Sequence, residues 1–156
     1  MDSTSDLNFS DYAGGKVVGT HTYVSYGNGL KNKEATEIVI PETYLGLKVI
    51  EIGCQSFRTT NIESVFVSRY VKSIQLAAFY NCTSLKYITF DSNSELEYLG
   101  YALIHNAQLE SINLPASLKS ISTINSIFYY TPTLNCASYF GSNDISFSGL
   151  FGTSTI

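Results

Sequence analysis

The two histidines of the chain, His21 and His105, are the first residues to consider for acid–base or metal chemistry. They lie far apart in sequence, and neither is surrounded by other ligand residues at the spacing of a metal site. A general base also needs partners that converge on it, and the sequence indicates none. We therefore predict that both histidines lie on solvated turns or strands and that the chain binds no metal.

The three cysteines, Cys54, Cys82 and Cys136, are too few and too irregularly spaced for a disulfide framework. Their odd number favours free thiols, most of them simply packed in the interior. Cys136 falls at an exposed strand position, but no neighbouring cation or helix start would activate it. We expect structural thiols rather than reactive ones.

Glycine- and serine-based catalytic motifs are also missing. The segment 27–29, Gly-Asn-Gly, is not followed by glycine at position 32 and opens no helix, so it is not a dinucleotide-binding fingerprint. No Gly-x-Ser-x-Gly nucleophile elbow occurs. Glu63 and Glu110 recur at exposed strand positions, where solvated charges are the simplest interpretation. We therefore predict that the chain is not an enzyme and needs no cofactor.

The composition of the 156 residues indicates a single domain whose surface is poor in charge. Hydrophobic residues make up 44%, which is enough for a core, and charged residues only 14%, against a typical value of about 25%. A net charge of −4 and nine scattered Lys and Arg give no basic patch for nucleic acid or an anionic membrane. No apolar run approaches the ~18 residues of a membrane helix.

An internal repeat organises the chain. Five segments share the pattern apolar-x-x-apolar-x-apolar, and their starts are 23 to 27 residues apart. They are 35–40, 62–67, 85–90, 109–114 and a weaker copy at 134–139. Such short alternation predicts short strands with one buried face.

A second shared block lies between these segments. The pattern apolar-x-x-apolar recurs at 49–52, 71–74, 96–99 and 118–121, and each copy leads to a large apolar anchor with a small residue three positions later. The anchors are Phe57, Phe79, Ile104 and Phe128, and the small residues are Thr60, Cys82, Ala107 and Thr131. Cys82 is therefore expected to fill a small slot in the core.

The length of the repeat determines how it can be stable. One repeat can bury about six side chains, worth roughly 1.5–3 kcal/mol each, whereas ordering each backbone residue costs roughly 1–2 kcal/mol. A single repeat cannot fold alone, so neighbouring repeats must stack. We expect Val65, Ile88 and Ile112 to form one buried ladder and the four anchors a second, with a helical turn at each Phe anchor.

Several motifs of the chain resemble the BspA-like class of leucine-rich repeats. They include Ile-Val-Ile-Pro at 38–41, Ile-Gly at 52–53 and Ala-Phe-Tyr-Asn-Cys at 78–82, and the resemblance covers residues 36 to about 134. Ser68 and Asp91 depart from the family pattern, which has proline there. The resemblance implies an α/β leucine-rich-repeat solenoid, mainly β and right-handed, with short parallel strands, turns and short helical turns.

The segments on either side of the repeats suggest a division into four parts. Residues 1–15 are polar with Gly14 and Gly15 and are expected to be a loose arm. Residues 16–35 are expected to cap the first repeat, since terminal repeats need a polar outer face. Residues 36–133 hold four leucine-rich repeats, and 134–156 form a degenerate repeat or carboxyl-terminal cap.

Strand residues that alternate away from the core predict an exposed surface. They are Glu37, Val39, Ser64, Phe66, Tyr87, Thr89, Ser111 and Asn113. We expect Phe66 and Tyr87 to lie side by side on adjacent strands, about 4.8 Å apart. Two roles are open for these aromatic residues, as anchors for a binding partner or as cross-strand packing for stability.

Function is indicated only through the family resemblance. Members of this class are typically surface proteins of mucosal bacteria and protozoan parasites that are linked to adhesion. This implies a non-catalytic recognition module, at the cell surface or secreted, that binds a protein or glycan through the exposed sheet. The alternative is an intracellular scaffold of the same fold, because the segment from Met1 lacks the basic and apolar regions of a signal peptide. The sequons at Asn8 and Asn81 would matter only in a secreted chain.

The carboxyl-terminal end is unusually poor in charge. Its last 37 residues contain one charged residue, Asp144, and seven aromatic residues. Two outcomes are open: residues 134–156 fold back as an uncharged cap, or they bury the end of the solenoid against a second copy. We hypothesise self-association, because such an end would otherwise favour aggregation.

Overall fold

The computed structural model describes residues 3–22, 27–122, 126–146 and 150. Within these ranges the chain is a mainly β solenoid of about four turns. A short 3-10 helix, Thr4–Asp6, precedes the strands, and no α-helix occurs in the described ranges. The short strands lie in three columns, and the three turns that begin at β6, β9 and β12 each contribute one strand to every column.

The strands of the three columns are as follows. The first column holds β3 (Glu37–Val39), β6 (Ser64–Val67), β9 (Tyr87–Phe90), β12 (Ser111–Leu114) and β15 (Cys136–Tyr139). The second holds β1 (Phe9–Tyr12), β2 (Gly15–Val18), β4 (Thr43–Tyr44), β5 (Leu47–Ile52), β7 (Ser73–Ile74), β10 (Tyr98–Leu99) and β13 (Ser120–Ile121). The third holds β8 (Phe79–Tyr80), β11 (Ile104–His105) and β14 (Phe128–Tyr129).

Pairing between successive turns is parallel in all three columns. The second column runs continuously through β2, β5, β7, β10 and β13, and the third through β8, β11 and β14. The first column is divided into two sheets, β3-β6-β9 and β12-β15. The right-handed course of the solenoid stays a prediction.

The buried ladder of the first column is confirmed. Val65 pairs with Ile88 in register, and both are buried together with Ile112. These side chains alternate with outward-facing neighbours, so one face of each strand is covered by the core and the other meets solvent. The sequence pattern therefore gave the correct inward face for each of the three strands.

The second ladder, formed by the large apolar anchors, is confirmed as well, but its backbone conformation differs from the one expected. Phe79, Ile104 and Phe128 are buried and lie in register along the third column, and the rings of Phe57 and Phe79 stack with centroids 5.4 Å apart. The expected helical turns are replaced by two-residue strands. Ala77 and Asn81, two residues to either side of Phe79, have φ of 51° and 58°. A left-handed residue at each corner interrupts any right-handed helical turn there.

The amino-terminal segment corrects the expectation of a loose polar arm over residues 1–15. Strand β1 pairs antiparallel with β2, and Leu7 is buried against the first turn. Gly14, with φ of 79°, supports the tight turn of this hairpin. Phe9 also stacks on Tyr44, with ring centroids 4.1 Å apart. The few apolar side chains of the segment are therefore sufficient to dock it.

The carboxyl-terminal end has features of the fold-back alternative. Ile145 and Leu150 are buried within the hydrophobic core, and the backbone N–H of Phe128 donates to the carbonyl oxygen of Leu150 at 2.9 Å. Phe147 lies outside the described residues. Phe140, in contrast, is 87% exposed.

Candidate ligand-binding face

The outward-facing side chains of the first column share one surface, which we call the sheet face. It comprises Glu37, Val39, Ser64, Phe66, Tyr87, Thr89, Ser111 and Asn113, the eight residues predicted from the alternation. Tyr87 is 56% exposed, whereas Phe66 and Val39 are half-buried. The structure thus brings the predicted residues together on one side of the solenoid.

The expected side-by-side placement of Phe66 and Tyr87 is wrong. Tyr87 is opposite Ser64, and Phe66 is opposite Thr89. Phe66 is the third residue of β6, whereas Tyr87 is the first residue of β9, so the two aromatic residues are diagonal neighbours. Each therefore stands beside a small hydroxyl side chain on the adjacent strand.

A groove crosses the sheet face where the first column is divided. Strands β9 and β12 belong to separate sheets, although they follow each other in the solenoid and remain in contact. The groove has a volume of about 260 Å³. It is lined by Tyr87, Ile88, Thr89, Phe90, Ser111, Ile112 and Asn113. Four of the eight predicted face residues line it, so the groove lies on the sheet face.

A second depression of about 300 Å³ lies where the strands β3 and β6 end. Val39 and Phe66 form part of its apolar wall, and Glu42 and Asp91 place carboxylates at it. Ser68 stands in the position where the family pattern has proline, and its hydroxyl donates to the carbonyl oxygen of Pro41 at 3.0 Å. This bond ties neighbouring turns together at the edge of the sheet face.

Around His21 the structure shows a polar cluster that the sequence did not reveal. His21 Nδ1 lies 2.7 Å from Glu51 Oε1, and the other oxygen of this buried carboxylate accepts from Ser73 Oγ and Gln75 Nε2, both at 2.8 Å. The ring of Tyr12 stacks on the imidazole, with centroids 3.7 Å apart. His21 is therefore half-buried and held by partners, not free on a solvated turn. His21 and Glu51 are 30 positions apart in the sequence, a separation that a local motif search cannot detect.

His105 lies in a stack of side chains along the third column. Its ring lies between Tyr80 and Tyr129, with centroids 4.3 Å and 5.1 Å away, and the guanidinium of Arg58 lies 4.4 Å from the Tyr80 ring centre. Burial, and secondarily the positive charge of Arg58, lower the pKa of His105. The four residues each follow an anchor directly, so the repeat alignment contained the signal needed to predict this stack.

The three cysteines are free thiols. Cys82 is fully buried, Cys54 is half-buried and Cys136 is exposed. Burial raises the pKa of the Cys82 thiol to about 11, and burial followed by the nearby Glu51 carboxylate raises the pKa of Cys54. Across the described ranges, no group of three or more His, Cys, Asp or Glu residues is arranged to hold a metal ion.

The two sequons differ in their surroundings. Asn8 is exposed, and its amide donates to the carbonyl oxygen of Asn28 at 3.0 Å. Asn81 is half-buried at a corner of the third column, and its side-chain oxygen accepts from Asn106 Nδ2 at 2.8 Å.

As for membranes, the part of the chain that is described contains no helix long and apolar enough to span one.

A solenoid of short parallel strands is the architecture expected of a leucine-rich-repeat protein. Residues 30–143 match the model of the BspA type leucine-rich repeat region, in six copies. The chain belongs to this family. No curated protein matches it at a significant level.

Solved structures of bacterial leucine-rich repeat proteins have the same fold. A leucine-rich repeat protein from Bacteroides capillosus has 23% sequence identity and a TM-score of 0.66, with 89% of this chain and 97% of that one covered. A leucine-rich cell surface protein from Faecalibacterium prausnitzii has 19% identity and a TM-score of 0.58, with 88% and 42% covered. The pneumococcal vaccine antigen PcpA has 20% identity and a TM-score of 0.65, with 94% and 39% covered. The chain thus shares the fold of these bacterial proteins and spans about two fifths of the length of the last two.

Proposed function

We propose that the chain is a non-catalytic recognition module that acts at a cell surface or after secretion and binds a protein or glycan ligand through the sheet face. The observation that carries this proposal is the groove on that face, where exposed Tyr87 adjoins neutral polar side chains. Tyrosine supplies a large contact area with little loss of conformational entropy, which makes it an effective interface anchor. The structural similarity to a leucine-rich cell surface protein from Faecalibacterium prausnitzii supports the location.

An intracellular scaffold of the same fold is the alternative, since the fold alone does not determine function. Fractionation of the native source separates the two locations. Attachment of a glycan at Asn8 or Asn81 would support the surface location, whereas recovery in the soluble intracellular fraction alone would support the scaffold.

Binding through the sheet face predicts that Phe66→Ala combined with Tyr87→Ala abolishes most ligand capture. Truncation of central aromatic anchors typically costs about 2 kcal/mol or more of binding free energy, which corresponds to roughly a thirtyfold loss of affinity. The measurement is a pull-down from candidate host surfaces with immobilised chain, followed by determination of the affinity for the captured ligand.

The matched control is Tyr130→Ala, because Tyr130 is 57% exposed and follows the third column, away from the sheet face. Capture that persists in the double variant and fails in the control would reject the sheet face as the binding surface. Thermal melts of all variants show whether any loss arises from unfolding.

We also propose that residues 134–156 mediate self-association. Phe140 is 87% exposed, and the strand before it, β15, carries no charged side chain. A large exposed apolar side chain in a segment without charge favours association with another copy. The buried Ile145 and Leu150 are compatible with this arrangement, because they cover the core without covering Phe140.

Self-association predicts that light scattering gives a dimer or larger species for the full chain and a monomer for Phe140→Asp. The exposed position of Phe140 makes this substitution a test of association rather than of folding. A substitution at buried Leu150 would also destabilise the fold, so a loss of association could not be separated from a loss of folding. A full chain that is monomeric at every accessible concentration would reject association and leave residues 134–156 as a cap.

A further inference from the structure

We infer that the groove between β9 and β12 binds one neutral hexopyranose unit of a glycan. The inference rests on the proposed recognition function and specifies its ligand class. It depends on four features of the groove: its size, its lining side chains, the unpaired strand edges beside it and the orientation of one amide.

The size of the groove favours a single sugar ring over a larger ligand. Its volume of about 260 Å³ lies just below the range of about 300–1,000 Å³ that is typical of pockets for drug-sized ligands. A peptide strand inserted between β9 and β12 would need them about 9.6 Å apart, twice the normal strand spacing. Their Cα atoms approach within 8 Å. The groove therefore accommodates a single ring at its mouth but not an additional strand.

The lining combines an aromatic ring with neutral hydrogen-bonding groups. Tyr87 is 56% exposed and offers an apolar surface to the C–H face of a sugar ring. Thr89 on β9 and Ser111 and Asn113 on β12 are exposed at the groove, where they offer two hydroxyls and an amide. None of the seven lining residues is charged, whereas recognition of phosphate, sulfate or carboxylate typically uses Arg or Lys. This chemistry selects a neutral polyhydroxylated ligand.

The divided sheet leaves strand edges next to the groove. Because β9 and β12 form no ladder with each other, backbone groups on their facing edges lack the pairing that β6 and β9 have. Backbone N–H and C=O groups outside a ladder are strong donors and acceptors that a ligand can use. The hydroxyl groups of a sugar both donate and accept, and can therefore satisfy either kind of backbone group.

Asn113 is held in an orientation suited to such a ligand. Its side-chain oxygen accepts a short hydrogen bond of 2.5 Å from Ser138 Oγ on β15, the strand on the side of β12 away from the groove. This bond engages the oxygen and leaves the NH₂ group of Asn113, a residue that lines the groove, available as a donor.

The test is an array of neutral oligosaccharides printed beside the sialylated and sulfated forms of the same chains. We expect the full chain to bind at least one neutral oligosaccharide, and Tyr87→Ala to weaken that binding at least about tenfold. Asn113→Asp keeps the acceptor but removes the amide donor, and should weaken binding to a similar extent. Tyr130→Ala is the matched aromatic control and should stay within about twofold.

Two results would overturn the inference. One is an array on which no neutral oligosaccharide is bound or only charged ones are. The other is binding that Tyr87→Ala leaves unchanged. A protein ligand captured through the sheet face, together with an empty array, would overturn the glycan inference and leave the proposed recognition function standing. If the chain bound neither an oligosaccharide on the array nor a protein ligand through the sheet face, both the glycan inference and the proposed recognition function would be overturned.

Discussion

Replacement of Phe79 by alanine is expected to lower the free energy of unfolding by about 3–5 kcal/mol. Phe79 is fully buried, stacks on Phe57 and lies in register with Ile104. The turns on both sides are fixed by backbone hydrogen bonds of 2.9 Å, from Phe57 to Ala78, and 3.0 Å, from Phe79 to Leu103. The neighbouring turns cannot approach each other to fill the cavity, so most of the lost packing energy is not recovered. Chemical denaturation measures the change.

Lys86→Ala is the matched control. Lys86 is exposed, and its ion pair with Glu63, at 3.3 Å, is half open to solvent, so the expected change is within about 0.5 kcal/mol. Equal changes in unfolding free energy for Phe79→Ala and Lys86→Ala would contradict the assignment of the anchor ladder.

Cys82→Asp is expected to prevent folding. The Cys82 thiol is fully buried and donates to the carbonyl oxygen of Phe57 at 2.9 Å. A carboxylate in that place would face an acceptor instead of a donor and would lose its hydration, at a cost of several kcal/mol. Since a domain has about 5–15 kcal/mol of stability in total, we expect no cooperative thermal transition in circular dichroism.

Cys82→Ala is the corresponding tolerated change, because Ala107 fills the equivalent slot in the next repeat. It removes two weak hydrogen bonds of the sulfur, with the carbonyl oxygen of Phe57 and the hydroxyl of Thr60, worth about 1 kcal/mol each at most. In the wild-type chain a thiol reagent followed by peptide mass spectrometry should label Cys136 in the folded state and Cys82 only after unfolding, given their exposure and the Cys82 pKa of about 11. Rapid labelling of Cys82 in the folded chain would show that the small-residue column is not part of the core.

The sequence was sufficient to predict the columns of the solenoid because the repeat constrains several residues at once. Val65 and Ile88 recur at the same step of the pattern, and only one register buries both. The same constraint placed Cys82 in the core and Tyr87 on the exposed face. The lateral order of Phe66 and Tyr87 could also have been read from the alignment, since they occupy different steps of the repeat.

Features that depend on the separation of backbones could not be predicted in this way. The division between β9 and β12 changes no side-chain pattern, because Ile88 and Ile112 are buried as in an unbroken sheet. The contact of His21 with Glu51 joins the amino-terminal segment to the first turn, and no repeat relates those two residues. The hairpin of β1 and β2 was not predicted, because residues 1–15 are mostly polar and their composition gave no sign that Leu7 is buried.

The division of the first column also determines how the solenoid would respond to a stretching force. Hydrogen bonds between successive turns run along the solenoid axis, so a pull on its two ends loads them directly. At the step from β9 to β12, the first column contributes no ladder, and the load is carried by the pairs β10–β13 and β11–β14. These pairs are two residues long, whereas β6 and β9 are paired over four residues one turn earlier. The groove therefore coincides with a step whose strands are paired over shorter lengths than those of the step before it, and a ligand that contacts both β9 and β12 would reinforce that step.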